Sequence, residues 1–201
     1  MNENKEFDPG MLTQWLRVLM YIAIASLVNS IVNLLPLMPA SITTWVSRGI
    51  MVAMIVCMFQ LAPANERYKK AGILRAVMLG CALITAYLFG SMILTLTASI
   101  VSIVAVYQEY NAHSELVAEQ DAKLSGKWHS LFNWSILAAV LLSFGASIVA
   151  VIFVMAGFQD GASRISRIVI SLLNIPQVII DIIYIMYIKK MIFIFETSEV
   201  Q

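Results

Sequence analysis

Long apolar stretches separated by short polar breaks set the pattern of this chain. They fall at about residues 12–35, 44–61, 72–107, 128–156 and 165–188, and each carries few charges. Crossing about 30 Å of hydrocarbon takes ~20 helical residues, so stretches of this length and apolarity read as bilayer-spanning helices. The third is too long for one crossing: at ~1.5 Å per residue a single helix would reach about 54 Å. Phe89, Gly90 and Ser91 stand near its middle, and glycine makes a tight turn cheap in backbone strain. The pattern therefore predicts an all-α integral membrane bundle of six transmembrane helices, arranged as three helical hairpins. The spans are expected at about 12–35, 44–61, 73–89, 92–107, 128–156 and 165–188, within one transmembrane domain covering residues 1–201.

Charge placement tests the split of the third stretch. Lys and Arg concentrate on cytoplasmic loops. With six spans and an inside N-terminus, one side collects Lys5, Arg17, Arg67, Lys69, Lys70, Arg75, Lys123, Lys127, Lys189 and Lys190, and the other only Arg48, Arg164 and Arg167, which accounts for all 13 cations. With five spans, Lys123, Lys127, Lys189 and Lys190 would move outside and Arg164 and Arg167 inside, and the asymmetry would shrink. Six spans with both termini cytoplasmic is the better reading.

The longest polar segment, 108–127, separates spans four and five. Tyr110, Val117 and Leu124 recur in it every seven residues, and Gly126 offers a helix stop. Span four is expected to continue into the cytoplasm as an amphipathic connector helix over about 108–125, either packed on the membrane surface or docking a partner.

Composition agrees with a membrane chain. The chain is 60% hydrophobic and 12% charged, whereas soluble domains run about 45–50% apolar and roughly 25% charged. Lipid is the partner this implies. A net charge of +1 gives no reason to expect nucleic acid. Cys57 and Cys81 both lie in apolar runs and read as small hydrophobes rather than a redox pair. Trp15, Trp45, Trp128 and Trp134 fall at or near predicted span ends, where interfacial anchors belong. The polar, acidic N-terminus lacks the basic region and cleavage site of a secretory signal, so span one is expected to be retained.

The sixth span carries the strongest chemical signal. Asn174, Gln177, Asp181 and Tyr184 are spaced to share one helix face. Asp181 lies three residues from the span midpoint near Val178, about 4.5 Å along the axis. An ionised carboxylate there costs at least ~2.5–3.5 kcal/mol, which makes it a functional-site candidate. Pro176 is a candidate helix break: it removes one backbone donor and leaves the Leu172 carbonyl without its usual partner. Transporters build sites from such freed backbone and polar side chains. Span one offers a facing stripe of Ser26, Asn29, Ser30 and Asn33. If the two spans run antiparallel with matched centres, Asn29 is level with Asn174, Ser26 with Gln177, and Asp181 with Tyr21 and Ile22. No Lys or Arg is expected at that depth; Arg17 and Arg75 lie toward the cytoplasmic ends. Polar side chains of this kind also bond helices together without further function.

Other chemistry is sparse. Glu109 and His113 are i, i+4, but His129 stands sixteen residues further on, and a metal site needs three or four converging ligands. No metal, cofactor or catalytic residue is assigned, and no zinc-protease, phosphate-loop, nucleophile-elbow or CxxC motif occurs. The chain is not expected to be an enzyme. The expected function is that of a small transporter or permeation protein with a polar seam of Asn174, Gln177 and Asp181, joined by Asn29 and Asn33. The alternative is a non-transporting assembly, regulatory or scaffold subunit whose 108–127 segment binds a partner. A second copy or another membrane protein suits either reading. Compact size and short loops suggest the plasma membrane of a prokaryote.

Overall fold

The computed structural model describes residues 9–34, 39–87, 92–155 and 175–198. They form α1 (Pro9–Leu34), α2 (Ala40–Leu61), α3 (Glu66–Tyr87), α4 (Met92–Val117), α5 (Ala122–Met155) and α6 (Ile175–Ser198). The long third apolar stretch is divided into two helices, α3 and α4. Each helix packs on its neighbour in sequence, and α6 packs on α1, which closes the six helices into a ring.

Among the described residues, three helices are long and apolar enough to cross a membrane: Gly10–Asn33 in α1, Ser41–Leu61 in α2 and Ile93–Val117 in α4. The 21 residues of the shortest reach about 31 Å, enough for the hydrocarbon layer. Large apolar side chains cover the outside of the ring, with Ile93 76% and Leu96 60% exposed. Exposed apolar side chains in such number suit lipid rather than water.

The buried core gathers at one end of the ring. It takes Leu12, Leu16 and Leu19 from the start of α1, Met58 and Leu61 from the end of α2, and Tyr68 and Ala71 from the start of α3. Tyr110 and Val117 of α4, Leu124 and Trp128 of α5, and Ile188, Met191, Ile192 and Phe195 of α6 belong to it. The same end carries three ion pairs that link distant parts of the chain: Arg17 to Glu196 at 2.5 Å, Arg67 to Glu115 at 2.7 Å, and Lys190 to Asp121. This is the end on which the sequence collects most of its cations. Gly72 lets α2 and α3 meet closely there, since a Cβ at this position would stand 3.2 Å from the Met58 Cβ.

Local signals set the helix starts at this end. The Asn65 side chain accepts the Arg67 backbone N–H at 2.9 Å and caps α3, with Glu66 in the first turn favourable to the helix dipole. Asp121 accepts the Leu124 N–H at 2.8 Å and caps α5.

Three expectations are corrected. The 108–125 connector is not one helix: α4 ends at Val117, residues 118–120 turn, and α5 begins at Ala122 with Gly126 inside it. The Asp121 cap, rather than the glycine, marks the boundary. The heptad residues Tyr110, Val117 and Leu124 are all buried in the core. Trp128 is not an interfacial anchor; it is fully buried against Tyr110, His113 and Tyr184, while Trp45 and Trp134 are exposed. The α1–α6 depth match holds at Ser26 and Gln177, which line one cavity, but is offset at Tyr21. Tyr21 shares a groove with Lys189 and Phe193 rather than with Asp181. α6 itself continues past Lys189 and Lys190 to Ser198.

Candidate functional site

Five helices converge on a polar cavity of about 210 Å³. Ala23 and Ser26 of α1, Met54 of α2, Arg75 of α3, Val106, Glu109 and Tyr110 of α4, and Gln177, Asp181 and Tyr184 of α6 line it. One guanidinium and two carboxylates therefore border a single space.

The two carboxylates differ in their surroundings. Glu109 is 1% exposed and ion-paired with Arg75, the Arg75 Nη2 bonding to Glu109 Oε2. Its other oxygen, Oε1, accepts the Tyr184 hydroxyl at 2.5 Å. Asp181 is only partly buried, and among the described residues its side chain has one hydrogen-bond partner, the Gln177 amide at 3.0 Å, one turn back on α6. Among the described residues no cation pairs with it. Arg75, expected toward the cytoplasmic end, lines the same cavity and is ion-paired with Glu109.

A directed hydrogen-bond chain runs behind this pair. The Tyr184 hydroxyl stands 3.3 Å from His113 Nε2, and the Tyr68 hydroxyl 2.6 Å from His113 Nδ1. Glu109 carries no proton to give while paired with Arg75, so Tyr184 donates to it and the Tyr184 oxygen is left to accept. Hydrogen-bond accounting then assigns the neutral imidazole proton to Nε2, with Nδ1 accepting from Tyr68. Burial, and after it the nearby Glu109 charge, push the Tyr68 hydroxyl well above its ordinary range, which keeps it a donor. The chain reads Tyr68 to His113 to Tyr184 to Glu109. Trp128 lies across the imidazole with ring centroids 4.5 Å apart and planes 32° apart, fixing its orientation.

The sequence candidates separate on this geometry. Asp181 and Gln177 line the cavity and bond to each other. Asn29 instead donates to the Ser47 hydroxyl at 2.8 Å, and Ser47 in turn donates to the Thr43 carbonyl, so Asn29 ties α1 to α2. Asn33 is exposed near the end of α1. Asn174 and Leu172 lie outside the described residues, and Pro176 is the second residue of α6 as described. His113 and His129 do not converge: His129 Nε2 meets the Ser114 hydroxyl at 3.0 Å. Among the described residues no group of three metal-ligating side chains forms.

What sequence reasoning left out is Tyr68, the pairing of Arg75 with Glu109, and the inward role of Glu109 and His113. The available signals were the lone arginine in an apolar run at 75 and the i, i+4 spacing of 109 and 113. No protein-family model matches the chain, and neither curated proteins nor solved structures give a match.

Proposed function

We propose that this chain is a small membrane transporter or permeation protein, a six-span bundle with both termini in the cytoplasm. Its site is the cavity between Asp181 and the Arg75–Glu109 pair. The observation that carries the reading is that Asp181, with no cationic partner among the described residues, shares its cavity with a second carboxylate and one guanidinium. Two carboxylates can compete for one arginine. A proton on Glu109, or a ligand on Asp181, changes which of them holds Arg75, and the helices carrying these groups are different ones. Tyr184, His113 and Tyr68 supply a hydrogen-bonded route by which a proton can reach Glu109 from the charged end of the ring.

The alternative, a scaffold subunit that docks a partner through 108–127, has less support. The apolar residues that would form its docking stripe, Tyr110, Val117 and Leu124, are turned into the chain's own core.

Reconstitution in proteoliposomes tests the proposal. Uptake or efflux across a broad solute panel, with and without an imposed pH gradient, is expected to fall to background in Asp181→Asn. Equal flux in wild type and Asp181→Asn for every solute moved would overturn it.

A further inference from the structure

We infer that the cavity binds a small primary ammonium cation, held by Asp181, Gln177 and Ser26 and faced by the rings of Tyr110 and Tyr184. This rests on the transport reading and names the class of ligand for the same site.

Charge selects the sign of the ligand. Arg75 and Glu109 neutralise each other by direct pairing, which leaves Asp181 as the uncompensated charge among the residues lining the cavity. An anion would meet that carboxylate while finding the guanidinium already committed. A cation meets a free carboxylate oxygen, because Gln177 occupies only Oδ1.

Hydrogen-bonding capacity selects the head group. An ammonium has three donors and no acceptor. The cavity offers three acceptors not engaged with other described residues: Asp181 Oδ2, the Gln177 side-chain carbonyl, whose amide nitrogen is the group that donates to Asp181, and the Ser26 hydroxyl oxygen. The Glu109 and Tyr184 oxygens are already bonded to each other.

The walls and the volume select the rest. Tyr110 and Tyr184 stand 5.6 Å apart between ring centroids with planes at 30°, a surface on which a desolvated organic cation gains cation–π attraction. Met54 and Val106 supply apolar lining. A space of about 210 Å³ lies below the ~300–1,000 Å³ of drug-sized pockets. It fits a short alkylamine and not a polyamine or a bulky quaternary amine.

The test uses the full chain purified in detergent and n-propylammonium chloride as the probe, with sodium chloride and sodium propionate at matched ionic strength. Wild type is expected to show a saturable rise in melting temperature with propylammonium alone. Asp181→Asn should abolish the response, Asp181→Glu should retain it, and Ser26→Ala should weaken binding about tenfold, as loss of one hydrogen bond to a charged group implies. Retention in Asp181→Glu separates loss of the charge from loss of the fold. No saturable response in wild type, an undiminished response in Asp181→Asn, or an equal response to sodium or propionate would overturn the inference. The transport reading fails separately. If a solute moves in an Asp181-dependent way while propylammonium does not bind, the ligand class is wrong and transport stands. If propylammonium binds through Asp181 but no solute moves, the site stands and transport falls.

Discussion

The Tyr184 hydroxyl donates to Glu109 at 2.5 Å, joining α6 to α4 across 75 residues of chain. The bond fixes one carboxylate oxygen while Arg75 of α3 holds the other. Three helices are thus tied at one buried charge, and the carboxylate of Asp181 lines the same cavity.

Removing one partner of the buried pair should be costly. Glu109→Leu and Arg75→Met each strand the partner's charge in the core, and a loss of about 3–5 kcal/mol is the order expected. The double variant Arg75→Met/Glu109→Leu leaves no lone charge and should recover much of that loss. Unfolding midpoints in detergent for the two singles and the double check this through the sign of the coupling.

Tyr184→Phe should cost more than Tyr68→Phe. The first loses a hydrogen bond to an ionised carboxylate, worth about 1.5–3 kcal/mol, and the second a bond to a neutral imidazole, worth about 0.5–1.5 kcal/mol. Denaturation of the two variants side by side gives the order. If the relay serves proton movement, Tyr68→Phe should also slow proton-driven flux while leaving Asp181-dependent binding intact.

The α2–α3 crossing predicts a steric effect. A Cβ at Gly72 would lie 3.2 Å from the Met58 Cβ, so Gly72→Ala should be tolerated only with a small shift, while Gly72→Val should destabilise by about 1–3 kcal/mol through overpacking. Thermal melting of both variants checks the difference.

Asp121 sets a pH dependence at the charged end. Its bonds to Lys190 and to the Leu124 N–H hold its carboxyl below the ordinary carboxylate range. A lowered folded value means that its contribution is fully present above the ordinary value near ~3.9 and is lost as pH falls through the folded value. Asp121→Asn keeps a capping side chain but removes the charge. The stability gap between wild type and Asp121→Asn should therefore be constant at neutral pH and close in strong acid, as read by melting temperature against pH.

Much of the architecture was legible because hydrocarbon imposes length and apolarity directly on the sequence. The split of the long third stretch into α3 and α4 follows the length limit, while Gly90 itself lies outside the described residues, and the i, i+4 pair Gln177 and Asp181 does line a cavity. What was not legible depended on where helices sit relative to one another. Arg75 read as a cation near a span end because span position says nothing of which residue it meets across the ring. Trp128 read as an anchor because an indole near a span end suits both interface and core. Gly126 read as a stop because glycine permits a helix end without requiring one, and the Asp121 cap decided the matter. Asn29 resembled the site residues in type and spacing, yet its partner Ser47 lies on α2, outside the cavity.

The central claim is that a polar, water-reachable cavity lies inside a membrane-embedded ring of helices. Cysteine accessibility tests it most directly. In a background with Cys57 and Cys81 replaced, Ser26→Cys places a thiol in the cavity, and Val28→Cys places one on the apolar exterior, where Val28 is 53% exposed. In intact membranes, a small charged methanethiosulfonate reagent should label Ser26→Cys and leave Val28→Cys unmodified. Equal labelling of both, or labelling of Val28→Cys alone, would contradict the account.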